Sequence, residues 1–442
     1  MVADITSGRA RRLLSVGGLT SAVGGSYLWQ VLKRPFQSPE QAGEDLLAAH
    51  IRNAERIVVG STELRGAFMK LVQMLSMRTD LFPAEALDRL AVVQSSVPPM
   101  AWERVREVLV AELGGPPEAK FRRIEHEAFA AASLGQVHRA ELADGAQVAV
   151  KVQYPGIAAT VHQDLRNVRA LVKALTTVVR DVMRQDFDRE EVVRELEARL
   201  AEELDYEREA QNVERFRRLF ASDRDVVVPR VYPALSTKRV LTLELLEGYP
   251  LQDVMAPGVD EDLKRWLAEK LYRLFWRQVL EFGVLHADPH PGNYLVTHHP
   301  RIAILDFGSV RVFEPEIRRG YVRLARGLVA RDDAEIGAAC RDLGFAKDDP
   351  APLVAMMHVI CEPLERDEPI DPASYDVVAR GMQVGEIALA HRIFHAPGHP
   401  VFLLRALMGL DGYLKGLGAT LNWHRLFRDV VSAIPDTERT TV

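Results

Sequence analysis

The chain has 442 residues, 48% of them apolar and 27% charged, with a net charge of −6; this is the profile of a globular protein with room for two or three folding units. The acidic balance excludes a general nucleic-acid binder, which would carry a basic stripe. Its two cysteines, Cys340 and Cys361, lie in apolar helical surroundings and are expected as buried thiols in a reducing compartment rather than as a disulfide.

Residues 13–32, LLSVGGLTSAVGGSYLWQVL, carry no charge and are flanked by Arg9, Arg11, Arg12, Lys33 and Arg34. The length suffices for a bilayer crossing, but four glycines, three serines and a threonine make the segment only weakly hydrophobic. An interfacial or helix-contact role is therefore expected ahead of a true span or an ordinary leader helix.

Residues 40–115 read as helices: ELRGAFMKLVQMLSMRTDLF has apolar positions at three-to-four spacing, and WERVREVLVAEL runs into Gly114 and Gly115 as stop signals. From residue 117 the pattern becomes loop, strand, turn, strand, with Asp144 and Gly145 supplying a hairpin turn before VAVKVQ. A long acidic helix is expected over roughly 188–220, then two β-rich stretches, VVVPRVYP and RVLTLELLEG. Residues 260–282 read as helix, YLVTHHPRIAILDFGSV as a strand pair turning at His298–Pro300, and the last 120 residues as helices with Pro-bearing connections. The expected organisation is a leader (1–39), a helical extension (40–116), a sheet-bearing lobe with inserted helices (117–247), a helix-rich lobe (248–435) and a tail (436–442). This is an α+β, two-lobed architecture with a cleft near LELLEG, where ligands favour binding.

Three separated elements carry chemistry. Lys151 sits on an alternating β-branched strand that holds its ammonium on one face. Asp288 and Asn293 form a D-x-x-x-x-N loop after an apolar helix, and Asp306 opens Asp306-Phe307-Gly308, 18 positions beyond Asp288. Phosphoryl transfer needs a cation on the phosphates, oxygen ligands for Mg²⁺ and a carboxylate near the nucleophile. Lys151, Asp288, Asn293 and Asp306 are those parts, in protein-kinase order. No G-x-G-x-x-G precedes Lys151 and no A-P-E follows the DFG; Ala130-Ala131-Ala132-Ser133 stands in the phosphate-loop position. Alanine methyls restrict a backbone approach that glycine would permit. A zinc site built on His286 and His290 is the competing reading, but it leaves Lys151, Asn293 and the DFG unexplained. His286 is expected to pack against the DFG region and His290 to shape the loop.

Lys70-Leu71-Val72-Gln73, the alanine-rich loop, VAVKVQYPGI, EELDYEREAQN, HADPHPGN and DFG together resemble the UbiB-like atypical kinases, also called aarF-domain kinases. The likeness runs from about residue 60 to the C-terminus, where FLLRALMGLDGYL also fits. It implies a protein-kinase-like fold whose N-terminal helical extension covers the active site against peptides. It also implies binding of ATP or ADP with Mg²⁺, ATPase or small-molecule kinase activity, and support of ubiquinone or other isoprenoid-lipid metabolism at a membrane. By the resemblance, Lys151 is the nucleotide-pairing lysine, Glu209 its carboxylate partner, Asp288 the catalytic-loop aspartate, and Asn293 and Asp306 the metal ligands. Ala130, Ala131, Ala132, Ser133, Glu244 and Leu246 complete the nucleotide-binding set. Glu203 and Asp205 match an E-x-D pair that engages Lys70 and Gln73 of the extension; Val72 replaces a glycine of that motif. At about 100° per residue, a regular helix would place Asp205 and Glu209 about 40° apart and turn Glu203 well away from Glu209. The implied partners are a nucleotide, a lipid or isoprenoid-quinone intermediate and a peripheral membrane contact, with a homodimer left open; the expected location is cytoplasmic, peripheral to the inner or an equivalent membrane. A catalytically silent nucleotide-binding scaffold and a soluble small-molecule kinase remain the alternatives.

Overall fold

Alternation of β-branched and small residues sets where the first sheet forms. The computed structural model describes residues 18, 21–26, 29–30, 32–33, 37–64, 99–132, 134–158, 194, 197–198, 200–288, 290–345, 349–391, 393 and 398–435. Lys70, Val72, Gln73 and Ser133 lie outside them, as does half of the uncharged leader segment. Among the described residues no helix is long and apolar enough to cross a membrane. The chain divides into two compact units, residues 1–211 with 231–245, and residues 212–230 with 246–442.

The first unit holds α1 (Pro39–Leu64), α2 (Trp102–Leu113), β1 (Arg123–Ile124), β2 (Ala130–Ala132), β3 (Gly135–Glu141) and β4 (Gln147–Gln153). Helix α3 (Tyr206–Leu219) and β5 (Val226–Val227) follow, and β6 (Val240–Glu244) returns to the first unit. Its antiparallel sheet runs β1-β3-β4-β6, with β2 paired to β3. Val148, Val150 and Val152 are fully buried in one core with Val105, Val108 and Leu109 of α2. Lys151 alternates with them and so belongs to the opposite face.

Local signals account for the boundaries. Gly114 caps α2 in the left-handed region at φ 68°, its N–H bonding to the Val110 carbonyl. Asp144 accepts from the Ala146 N–H at 3.0 Å and Gly145 takes φ 88°, closing the expected β3–β4 hairpin. The alanine stretch differs from the expected loop: Ala130, Ala131 and Ala132 form β2, in register with Val137, Gln136 and Gly135. Glycine is required at 135 because a Cβ there would lie 2.3 Å from the Val152 carbonyl oxygen. Gly135→Ala is thus expected to destabilise the protein by about 1–3 kcal/mol, read as a lower denaturation midpoint at unchanged slope.

The acidic helix is not continuous over 188–220. Helix ends at Glu203, Leu204 turns, and α3 begins at Tyr206. Asp205 accepts from the Arg208 N–H at 3.1 Å, the geometry of an N-cap that an aspartate satisfies better than a helix interior does. The helical-phase relation expected among Glu203, Asp205 and Glu209 therefore does not apply.

The second unit contains β7 (Tyr249–Pro250), α4 (Leu251–Val254) and α5 (Glu261–Trp276), the last capped by the Asp260 side chain on Asp262 N–H. A π-helical turn over Arg277–Phe282 prolongs α5 and ends at Gly283, φ 62°. Strands β8 (Val284–His286), β9 (Tyr294–Val296), β10 (Ile302–Ile304) and β11 (Val310–Val312) follow. They pair as β5-β10-β9-β7 and β8-β11, so the expected β9–β10 turn is present while the β8–β11 ribbon adds to it. The remainder is helical: α6 (Pro315–Ala330), α7 (Asp333–Asp342), α8 (Ala351–Ile360), α9 (Glu362–Glu365), α10 (Val377–Ala390), α11 (His399–Leu417) and α12 (Trp423–Ser432). Cys340 is buried, Cys361 half-buried, and both are free thiols. Burial pushes them up to about 11 and about 12, which keeps them protonated.

Candidate active site

Lys151 extends from the centre of β4, paired across the sheet with Val137 and Leu241. Its ammonium lies 2.8 and 2.9 Å from the two carboxylate oxygens of Glu209 on the first turns of α3. The glutamate side chain is only 3% exposed and the lysine 14%. A carboxylate this deep persists as a charge only with such a partner. The Tyr206 ring stands 5.0 Å from the same ammonium, adding a cation–π contact. The resemblance-based pairing of Lys151 with Glu209 is thus present as an ion pair within one unit.

The alanine hairpin lies one strand away. Ala130 and Ala131 are exposed, Ala132 is half-buried, and Ser133 lies outside the described residues. Glu244, at the exposed end of β6, pairs in register with Val148; Leu246 begins the second unit. Asp205 is the cap of α3, and Glu203, half-buried, closes the preceding helical turn. Their expected partners Lys70 and Gln73 lie outside the described residues, so that contact is not on view.

In the second unit the Asp288–Asn293 loop is braced by its own asparagine and by Arg405. Asp288 Oδ1 accepts from Arg405 Nη2 at 2.8 Å, and Oδ2 accepts from Asn293 Nδ2 at 2.9 Å. Asn293 Nδ2 also reaches the Asp288 carbonyl at 3.2 Å. Because its amide nitrogen is spent on Asp288, the Asn293 side-chain oxygen points away from that carboxylate, as a hard donor for Mg²⁺ should. Asp306 supplies a second hard oxygen donor; its Oδ1 also takes the Gly308 N–H at 2.9 Å, fixing the DFG turn. Donor type therefore fits Mg²⁺, the ion that kinase-type nucleotide chemistry requires.

His286 is architectural. It is 3% exposed; its Nε2 bonds to the Asp306 carbonyl and its backbone N–H to Gln278 Oε1. Its ring meets Phe307 edge-on at 5.8 Å, and Phe216 of α3 packs on Phe307 at 5.1 Å. Asn212, also on α3, donates to the Phe307 carbonyl at 3.0 Å. His290 turns inward on its own loop, with Nδ1 accepting from the Gly292 N–H. Both imidazoles are engaged as the kinase-type reading expects. Burial first, with the Asp288 charge also contributing, holds Tyr294 and Tyr413 well above the ordinary phenol range, so both are neutral.

Arg405 was not singled out by sequence reasoning. It sits on α11, 117 positions after Asp288. Its one available signal was a lone cation in the apolar run FLLRALMGL, where a charge needs a partner.

The family model of the ABC1 atypical kinase-like domain matches residues 92–340. The mitochondrial atypical kinase COQ8B of Danio rerio is 31% identical over 436 residues, 96% of this chain and 69% of the relative. A chloroplastic aarF domain-containing protein kinase of Arabidopsis thaliana is 40% identical over 378 residues, 82% of this chain and 51% of the relative, so the chain spans about half of that protein's length. Among solved structures, the Rv3197–erythromycin complex from Mycobacterium tuberculosis aligns with a TM-score of 0.58 and 26% identity, covering 89% of this chain and 98% of that one.

Proposed function

The chain belongs to the ABC1 atypical kinase-like family and has its kinase-like α+β fold, and from that premise we propose that it binds ATP or ADP with Mg²⁺. It then hydrolyses ATP or transfers the phosphoryl group to a small or lipid-linked acceptor in ubiquinone or other isoprenoid-lipid metabolism. The observation that carries this reading is the buried Lys151–Glu209 pair, since a lysine fixed by a carboxylate on a central strand serves to hold nucleotide phosphates. Lys151 positions the phosphates, and Asn293 and Asp306 offer the oxygen ligands. Mg²⁺ held by Asn293 and Asp306 would supply positive charge that offsets the charge on the phosphates. Asp288 accepts the proton of the attacking hydroxyl or water, with Arg405 and Asn293 holding its carboxylate in place.

The relatives named above are mitochondrial and chloroplastic kinases; for this chain the reading is a cytoplasmic protein peripheral to the inner or an equivalent membrane. Peripheral contact through the leader segment fits that setting. One observation favours a second reading, a soluble small-molecule kinase: one similar solved structure is a complex with erythromycin.

ATP hydrolysis by the purified protein, with and without vesicles of anionic phospholipid, tests the proposal. Turnover is expected to rise with vesicles and to fall by roughly 100-fold or more in Asp288→Asn, the usual scale for losing a general base. Equal rates for wild type and variant would sink the enzymatic reading; turnover raised by a macrolide but not by vesicles would favour the second.

A further inference from the structure

A buried polar cluster on the back of the first sheet has no part in the mechanism above. Gln136 and His138 of β3 are 1% and 0% exposed. They lie on the face that packs against α2, opposite to Lys151. Gln136 accepts from the Met100 N–H at 2.7 Å, and its Nε2 donates to the Met100 carbonyl at 3.3 Å and to His138 Nε2 at 3.0 Å. The Met100 N–H dictates the amide's orientation, because a flipped Gln136 would set donor against donor. All three bonds are then satisfied. The same logic places the His138 proton on Nδ1, which meets the Glu125 carbonyl at 2.8 Å. Trp102 closes the cluster, edge-on to His138 at 5.5 Å and stacked on His126 at 4.3 Å.

Gln136 also lies directly opposite Ala131 in the β2–β3 register. Its side chain thus grips the Met100 backbone, while its neighbour Val137 accepts the Phe129 N–H at 3.0 Å where the alanine hairpin begins. We infer that Gln136 is a positioning residue: through Met100 and His138 it latches the incoming chain to β3 and thereby sets the alanine hairpin over the phosphates. The inference rests on the nucleotide reading proposed above. It accounts for a buried amide on a mostly apolar sheet face, since a buried polar group is tolerated only when fully bonded. His138 is part of the device because its neutral Nε2 must accept. Burial holds His138 below the ordinary histidine range, His126 across Trp102 adding to this against the Glu125 bond. The latch therefore stands at neutral pH and is lost as the pH falls through that lowered value.

Amide hydrogen exchange and calorimetric ADP binding on the full chain test this, using Gln136→Leu, His138→Phe, which keeps the ring against Trp102, and Gln136→Glu, which keeps the acceptor for Met100. In Gln136→Leu, amides at Met100 and over residues 129–135 are expected to exchange faster while α2 stays protected. ADP affinity should fall roughly fivefold or more, about the worth of one net hydrogen bond. Gln136→Glu should recover part of that loss, and acidification should loosen the hairpin of wild type but not of His138→Phe. Faster exchange at Met100 with unchanged hairpin exchange and ADP affinity would overturn the inference, leaving Gln136 a core residue only. Should Gln136→Leu fail to fold, His138→Phe decides by the same readouts. A wild type that binds no nucleotide overturns the proposed function, whereas hairpin exchange still judges the latch.

Discussion

Glu209→Ala is expected to lower stability by about 3–5 kcal/mol, the usual cost of stripping one partner from a buried ion pair. The lysine left behind is only 14% exposed and lies between buried valines on β4, so water cannot easily replace the carboxylate. The compensating variant sharpens the test. Lys151→Met with Glu209→Leu removes both charges and keeps volume, and should recover most of the loss, since apolar replacement of a buried pair is often neutral or better. Chemical denaturation of the two single variants and the double measures the coupling between them. A Glu209→Ala midpoint within experimental error of wild type would show that the pair contributes nothing to folding. The stable double variant should nonetheless bind ATP poorly, which separates the fold role of the pair from its proposed role on phosphates.

Asp306→Asn is expected to cut Mg²⁺-dependent turnover by roughly 100- to 1,000-fold, the scale of removing one preorganised group that stabilises developing charge. The fold should be untouched. An asparagine oxygen can still accept from the Gly308 N–H, as Asp306 Oδ1 does. The contact with His286 uses the main-chain carbonyl of residue 306, which substitution leaves in place. The half-saturating Mg²⁺ concentration should rise with the loss of charge. Superimposable Mg²⁺ titrations for wild type and variant would remove Asp306 from the metal site.

Much of this was legible in sequence because the signals were local. The Asp144-Gly145 turn, the Gly114 cap and the alternation in VAVKVQ each follow from a few neighbouring residues. The five-residue spacing of Asp288 and Asn293 is likewise local, and the structure joins the two side chains at 2.9 Å. The pairing of Lys151 with Glu209, 58 positions apart, came from family resemblance; no periodicity in the chain could have supplied it. What stayed hidden depended on distant context. Three-residue β8 and β11 are defined by each other across 24 to 28 positions, too short for their own alternation to show. The helix break at Leu204–Asp205 was masked by good helix formers on both sides, and only the capping bond from Asp205 explains it. The Gln136 clamp on Met100 depends on which way one buried amide turns, a property of packing rather than of pattern.

The brace on Asp288 bears on where the functional unit stops. The family match closes at residue 340, after Lys151, the Asp288–Asn293 loop and the DFG have passed, yet Arg405 arrives on a helix that starts at His399. A fragment cut at that boundary would spell out lysine, loop and DFG in full. Its Asp288 would nevertheless have surrendered the cation that holds one of its two oxygens. For this chain, motif completeness and site completeness are different lengths of polypeptide.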